Sequence, residues 1–211
     1  MPAHSAAVVR RRGGRGLYKP GQPRRQNTGT KSKEIPEYLD FDTVEAVIRA
    51  TEDPRTRLAM MIQWRAGLRV SEVVTLAPAD VHFSAPAEIK VRQGKGRKDR
   101  LVPLHGELAG VLSSVQMFMG AGKNDPFLPV TRQTVDGWYK VALDRARSVG
   151  ALAYGRPVTT HTFRHSAARH WLLSGVPISI VSKWLGHANL QTTMVYLQMI
   201  SDPGGFMDRV P

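Results

Sequence analysis

The feature that most restricts the fold is a change of hydrophobic period part-way along the chain. There "AEIKVRQ" (87–93) and "RLVPL" (100–104) read as extended strands. Between them "GKGRKD" is rich in turn residues and positive charge, so the two runs read as a β-hairpin with a basic tip. Around this interruption the apolar spacing is that of amphipathic helices. "DFDTVEAVIRATED" offers Asp40 or Asp42 as a cap ahead of the stripe Val44, Val47 and Ile48. Pro54 opens a second helix, "PRTRLAMMIQWRAG", which stops at Gly67. "SEVVTL" is a further short helical piece, and from His105 onward helices are expected over 105–119, 131–149, 160–174, 177–185 and 189–199. The expected class is mainly α with a small antiparallel β-sheet, with regular structure starting near Ile35.

Before that point, residues 1–34 are dominated by Gly, Pro, Arg and Lys, and "VVRRRGGRGLYKPGQPRRQNTGTKSK" has no sustained apolar period. The expected organisation is a basic, flexible arm over 1–34 and one domain over 35–211. A solvated tail and an arm that orders on a partner share this composition. Charge bears on the partner. Lys and Arg number 30 against 17 Asp and Glu, a formal +13 with a pI near 10.6, which favours a polyanion. No apolar run approaches the roughly 20 residues of a membrane span, and no apolar core follows the N-terminal basic residues as in a secretory signal. The chain contains no cysteine, which excludes disulfides and thiolate metal sites. A cytosolic protein acting on nucleic acid is the expectation.

The stretch "THTFRHSAARHW" (160–171) gives that partner a place to bind. His161, Arg164 and His165 stand at i, i+3 and i+4 on one helical face, while Phe163, Ala167 and Trp171 recur on another that suits a core. The cationic face is expected to be free for a ligand. Three more signals accompany it: Arg69 in "AGLRVSEVVTL", Lys95 at the hairpin tip, and "LGHANLQTTMVYL", with His187 before a helix and Tyr196 within it.

These residue types suit phosphoryl transfer. A free phenol has a pKa near 10, so about one molecule in a thousand is ionised at pH 7, a deficit of roughly 4 kcal/mol. Neighbouring cations and a proton acceptor offset such a deficit. Two arginine forks match the non-bridging oxygens of a phosphodiester, and a hairpin lysine can protonate the departing 5′-oxygen. Arg69, Lys95, His161, Arg164, His187 and Tyr196 together form such a set without a metal or other cofactor. Each alone has a plainer reading: a rim tyrosine, a solvated cap arginine, a surface histidine, a soluble turn. His161 and His165 resemble half of a zinc site, but Thr162 stands where a glutamate is needed and no further ligand is close in sequence. "GKGRKD" is not a phosphate loop, since Gly follows its Gly-Lys pair. His165 and His170 read as structural or surface residues.

The ordered set "GLRVSE", "GKGRKD", "HTFRH" and "LGHANLQTTMVY" resembles the catalytic domain of the tyrosine recombinases, the phage-integrase and Xer family, over about residues 35–211. The resemblance implies that Arg69 and Arg164 clamp the scissile phosphate and that Lys95 is general acid toward the 5′-oxygen. It implies that His161 assists proton transfer, that His187 hydrogen-bonds the phosphate, and that Tyr196 attacks to form a 3′-phosphotyrosyl link. Glu72 would support Arg69. It further implies double-stranded DNA as substrate, a tetramer on paired sites, accessory DNA-bending proteins, and a cytoplasmic, nucleoid-associated enzyme of a bacterial mobile element. Relatives usually carry a helical core-binding domain ahead of the catalytic one. Here the segment before Ile35 does not look helical, so a minimal recombinase and a piece of a longer chain both fit. A type IB topoisomerase shares the chemistry, and a DNA-binding accessory protein without turnover is the alternative outside enzymes. The tail "SDPGGFMDRVP" presents Phe206, Met207 and Val210 for docking on a neighbouring protomer or on its own domain.

Overall fold

The computed structural model describes residues 36–92, 99–119 and 122–199. Helix α1 (Phe41–Ala50) starts at Asp40, whose carboxylate accepts from the Thr43 N–H at 2.8 Å and satisfies one of the orphan donors of the first turn. Asp53 does the same for α2 (Pro54–Ala66), with Pro54 in the first turn. Helix α2 ends at Gly67, which adopts the left-handed conformation with φ 62°. A Cβ there would lie 2.7 Å from the Trp171 ring, so close approach as well as φ calls for glycine. Then follow α3 (Val70–Val73), a 3₁₀ turn (Pro78–Asp80), strands β1 (Val81–His82), β2 (Glu88–Val91) and β3 (Arg100–Pro103), and helices α4 (Gly106–Met119), α5 (Arg132–Ser148), α6 (Thr160–Leu173), α7 (Ile178–Leu185) and α8 (Gln191–Met194).

The expected hairpin is present, with Ile89 opposite Val102 and Val91 opposite Arg100 in antiparallel register. A third strand, β1, extends it on the other side of β2. The expected helix over 189–199 is instead two short pieces: α8, then a 3₁₀ segment (Val195–Met199) that carries Tyr196. No helix among the described residues is long and apolar enough to cross a membrane.

The main core is built where α2 crosses α6 and α5 packs beside them. Trp64, Tyr139, Phe127 and Phe163 are fully enclosed, each worth roughly 1.5–3 kcal/mol of transfer free energy. Tyr139 meets Phe163 edge-on at 5.3 Å, and its hydroxyl donates to Gln63 Oε1 at 2.5 Å, which satisfies an otherwise costly buried polar group. A smaller cluster of Ala168, Leu172, Val181, Leu185 and Tyr196 joins α6, α7 and the C-terminal 3₁₀ segment. Helix α6 therefore serves both cores. As expected, Phe163 and Ala167 are buried. The expectation of a free cationic face fails, however, because Arg164 is only 3% exposed. With cores on two sides, most of the circumference of α6 is covered.

Candidate active site

Arg164 is buried for a physical reason. Its Nη1 donates to the Gly67 carbonyl and its Nη2 to the Leu185 carbonyl, so it caps the C-terminal ends of α2 and α7 together. Those carbonyls are orphaned by helix geometry and carry the negative end of the helix dipole, where a cation is favoured. Each terminal nitrogen bears two hydrogens, so each retains one N–H for a further acceptor.

Glu72 gathers the remaining charge. Within α3 its carboxylate reaches back to the Arg69 N–H at 2.7 Å and to Arg69 Nη1 at 3.0 Å. Arg100 meets the same carboxylate with two parallel bonds of 2.8 and 2.7 Å and gives its Nε–H to the Trp184 carbonyl at 2.7 Å. Arg164 Nη1 lies 3.9 Å from it. Burial of Glu72 acts to raise its pKa, but the hydrogen bonds and charge of Arg100, the Arg69 N–H and the charge of Arg164 bring it down to about 2. Burial foremost, then Arg69, lowers Arg164 to about 9 against the pull of Glu72, so it stays charged at neutral pH. Three guanidiniums share one carboxylate.

Tyr196 stands beside this cluster. Its ring belongs to the smaller core and is 3% exposed, and its hydroxyl lies 2.7 Å from His165 Nδ1. The His187 ring runs nearly parallel to the phenol at 6.3 Å, and His187 Nδ1 is 2.8 Å from the buried Thr193 hydroxyl. Burial, followed by the charges of Arg164 and Arg69, holds His187 down to about 4. Arg164 and Arg69 also lower the phenol pKa, as the sequence suggested, but burial outweighs them and the net shift is upward. In this arrangement the phenol is protonated.

The structure thus brings Arg69, Arg164, His187 and Tyr196 together. His161, on the exposed side of α6, stacks on His165 with ring centres 6.3 Å apart. Its pKa is lowered by burial and by Arg132 and Arg164. Lys95 lies outside the described residues, as do the arm 1–34 and the apolar tail residues Phe206, Met207 and Val210. Sequence reasoning misses two participants. His165 reads as structural or surface, yet it touches the phenol; its position four residues after His161 is the signal that could have found it. Arg100 reads as one more strand residue, although alternation with buried Val102 turns it inward. His170 is structural as expected, packed between Phe41 and Trp64 at 5.1 and 5.2 Å. Among the described residues no three His, Asp or Glu side chains are grouped to hold a metal ion.

Comparisons with known proteins bear on the family and the fold. The model of the phage integrase family matches residues 37–201. A tyrosine recombinase of Thermosipho africanus is 35% identical over 178 residues, covering 79% of this chain and 59% of that protein. Tyrosine recombinase XerA of Pyrococcus horikoshii is 35% identical over 170 residues, covering 79% and 58%. The chain thus spans less than two thirds of the length of these relatives. Among solved structures, XerA recombinase superposes with a TM-score of 0.70 at 26% identity, over 84% of this chain and 66% of that one. The catalytic domain of bacteriophage HP1 integrase gives 0.59 at 22% identity, over 82% of this chain and 91% of that one. With the family model spanning nearly all the described residues and the fold shared with those domains, the chain belongs to the phage integrase family and has the fold of a tyrosine recombinase catalytic domain.

Proposed function

We propose that this chain is the catalytic part of a site-specific DNA recombinase that breaks and rejoins strands through a 3′-phosphotyrosyl intermediate. The observation that carries the reading is the set of three arginines around Glu72, two of which, Arg164 and Arg69, act electrostatically on Tyr196. Three guanidiniums against one carboxylate leave two positive charges in excess. A phosphodiester brings one negative charge, and its five-coordinate transition state approaches two. The excess therefore matches the charge that develops rather than the ground state alone, which is what lowers a barrier.

In this mechanism Arg69 and the spare N–H groups of Arg164 hold the non-bridging oxygens. His187, its Nδ1 engaged by Thr193, presents its other nitrogen to the phosphate. Tyr196 attacks phosphorus, and the departing 5′-oxygen takes a proton from Lys95. His161, at the open edge of the site, assists proton transfer. The covalent link stores the phosphodiester energy, so rejoining needs no nucleotide. Duplex DNA as substrate, a tetramer on paired sites with accessory DNA-bending proteins, a role in a phage or other mobile element, the basic arm as a grip on the DNA backbone and the tail as a bridge between protomers belong to the same proposal.

The test is a denaturing gel of the protein with nicked, labelled duplexes from the DNA flanking its gene, followed by peptide mapping. Wild type is expected to give an adduct at Tyr196, and Tyr196→Phe to bind DNA without forming one. An adduct with the phenylalanine variant, or a link mapped to Tyr139 or Tyr154, overturns the assignment. Tyr139 is a poor nucleophile in any case, since burial raises its pKa well above 10 and Gln63 holds its hydroxyl.

A further inference from the structure

A phenol that attacks phosphorus must give up its proton, and among the described residues none of those assigned so far hydrogen-bonds the phenol. The phenolic oxygen lies 2.7 Å from His165 Nδ1, a direct hydrogen-bond distance. We propose that His165 is a catalytic residue, the proton acceptor for Tyr196. This rests on Tyr196 being the nucleophile.

Several observations support the assignment. The imidazole is fixed in its place, on α6 one residue after Arg164, and its ring centre is 5.6 Å from that of the phenol. A base must be unprotonated, and this one is. Burial above all, then the neighbouring charges of His161 and Arg164, holds its pKa at about 4. Among the described residues, the charged and titratable groups around it are His161 and Arg164 on its own helix, His187 after α7, and the phenol itself from the 3₁₀ segment. None of them is a carboxylate competing for the proton. With Nδ1 as acceptor, the neutral ring carries its hydrogen on Nε2.

So weak a base does not ionise a buried phenol in the resting protein, and that is part of the assignment. As the phenolic oxygen bonds to phosphorus its affinity for the proton collapses. Meanwhile the negative charge on the phosphate oxygens raises the basicity of the nearby imidazole. Transfer therefore accompanies attack. In cleavage the Tyr196 Oη–P bond forms, the P–O5′ bond breaks, the phenolic proton passes to His165 Nδ1, and the 5′-oxygen leaves as a hydroxyl with the proton of Lys95. In rejoining, the 5′-hydroxyl attacks and returns its proton to Lys95, the Tyr196–P bond breaks, and the imidazolium returns its proton to the phenolate. Both directions balance.

His165→Asn tests the assignment, because an amide keeps a hydrogen-bonding atom near the position of Nδ1 but is not a base. On the same nicked duplexes the variant is expected to bind DNA within about twofold of wild type and form the Tyr196 adduct at least about a hundredfold more slowly, the usual worth of a general base. A fluorinated, more acidic tyrosine at position 196 should restore His165→Asn at least tenfold more than it speeds wild type, an effect absent if His165 only positions the ring. Adduct formation within threefold of wild type, or equal acceleration of both backgrounds, overturns the proposal. Wild type that forms no adduct at Tyr196 instead overturns the function proposed above. A measurement without DNA completes the test: ¹⁵N spectra of the histidine side chains should show His165 Nδ1 unprotonated and shifted in Tyr196→Phe. A proton on Nδ1 refutes the assignment.

Discussion

Glu72→Gln should cost this domain about 3–5 kcal/mol, and the figure follows by two routes. The carboxylate is 11% exposed, with Arg100 at 5% and Arg164 at 3%. Removing one member of a buried ionic cluster leaves the others uncompensated, which typically costs about 3–5 kcal/mol. Linkage supplies the second route. The pKa falls from 4.5 to about 2 on folding. At about 1.4 kcal/mol per unit, that depression is worth roughly 3 kcal/mol. A depressed carboxylate pKa stabilises the fold fully above the unfolded value near 4.5, and the contribution is lost as pH falls toward 2. Glutamine lacks it at every pH. Urea denaturation followed by circular dichroism should therefore show a constant gap between wild type and variant above about pH 5, narrowing below it. The slope with denaturant should not change, because the surface exposed on unfolding is the same. A gap under about 1 kcal/mol at neutral pH, or parallel acid limbs for the two proteins, would refute the reasoning that Glu72 carries the arginine cluster.

Thr193→Val should slow adduct formation about tenfold, the worth of one hydrogen bond near 1.4 kcal/mol, while Thr193→Ser keeps the hydroxyl beside His187 and stays near wild type in single-turnover assays. Gly67→Ala should lower stability by roughly 1–3 kcal/mol, read from the urea midpoint, because the left-handed φ and the Trp171 ring both oppose a Cβ. Deleting residues 1–34 should flatten the dependence of log Kd on log salt, by about 0.9 for each phosphate the arm would otherwise neutralise, in fluorescence anisotropy with duplex DNA. An unchanged slope would identify the arm as a solvated tail.

Helix positions are legible in the sequence because Asp40, Asp53, Pro54 and Gly67 mark ends by local chemistry that needs no tertiary partner. The hairpin is legible from two short strand-like runs on either side of the turn-rich "GKGRKD". Strand β1 is not, since two residues have no period and become a strand only by pairing with Ile89 and Glu88. For the site, residue types and spacing name Arg69, Arg164, His187 and Tyr196, but spacing does not reveal depth. Arg164 looks solvent-facing in the sequence because charge usually is; two helix ends that offer their carbonyls hold it inside. Likewise, the loss of solvent around Tyr196 comes from packing with Ala168, Leu172 and Val181, which meet only when the helices assemble. That packing reverses the expected shift of the phenol. Spacing from His161 marks His165, but its contact with the phenol needs the fold, since that partner is 31 residues away.

The bonds that fix the arginines have a consequence for the newly made chain. Arg164 is tied to Gly67 across 97 residues, and Arg100 to Trp184 across 84. None of these charges finds its place until the polypeptide through Leu185 has left the ribosome and closed on itself. A stalled, truncated or half-folded product thus holds scattered cations in place of the assembled cluster. Under the function proposed above, competence to cut DNA arrives only once these long-range contacts have closed.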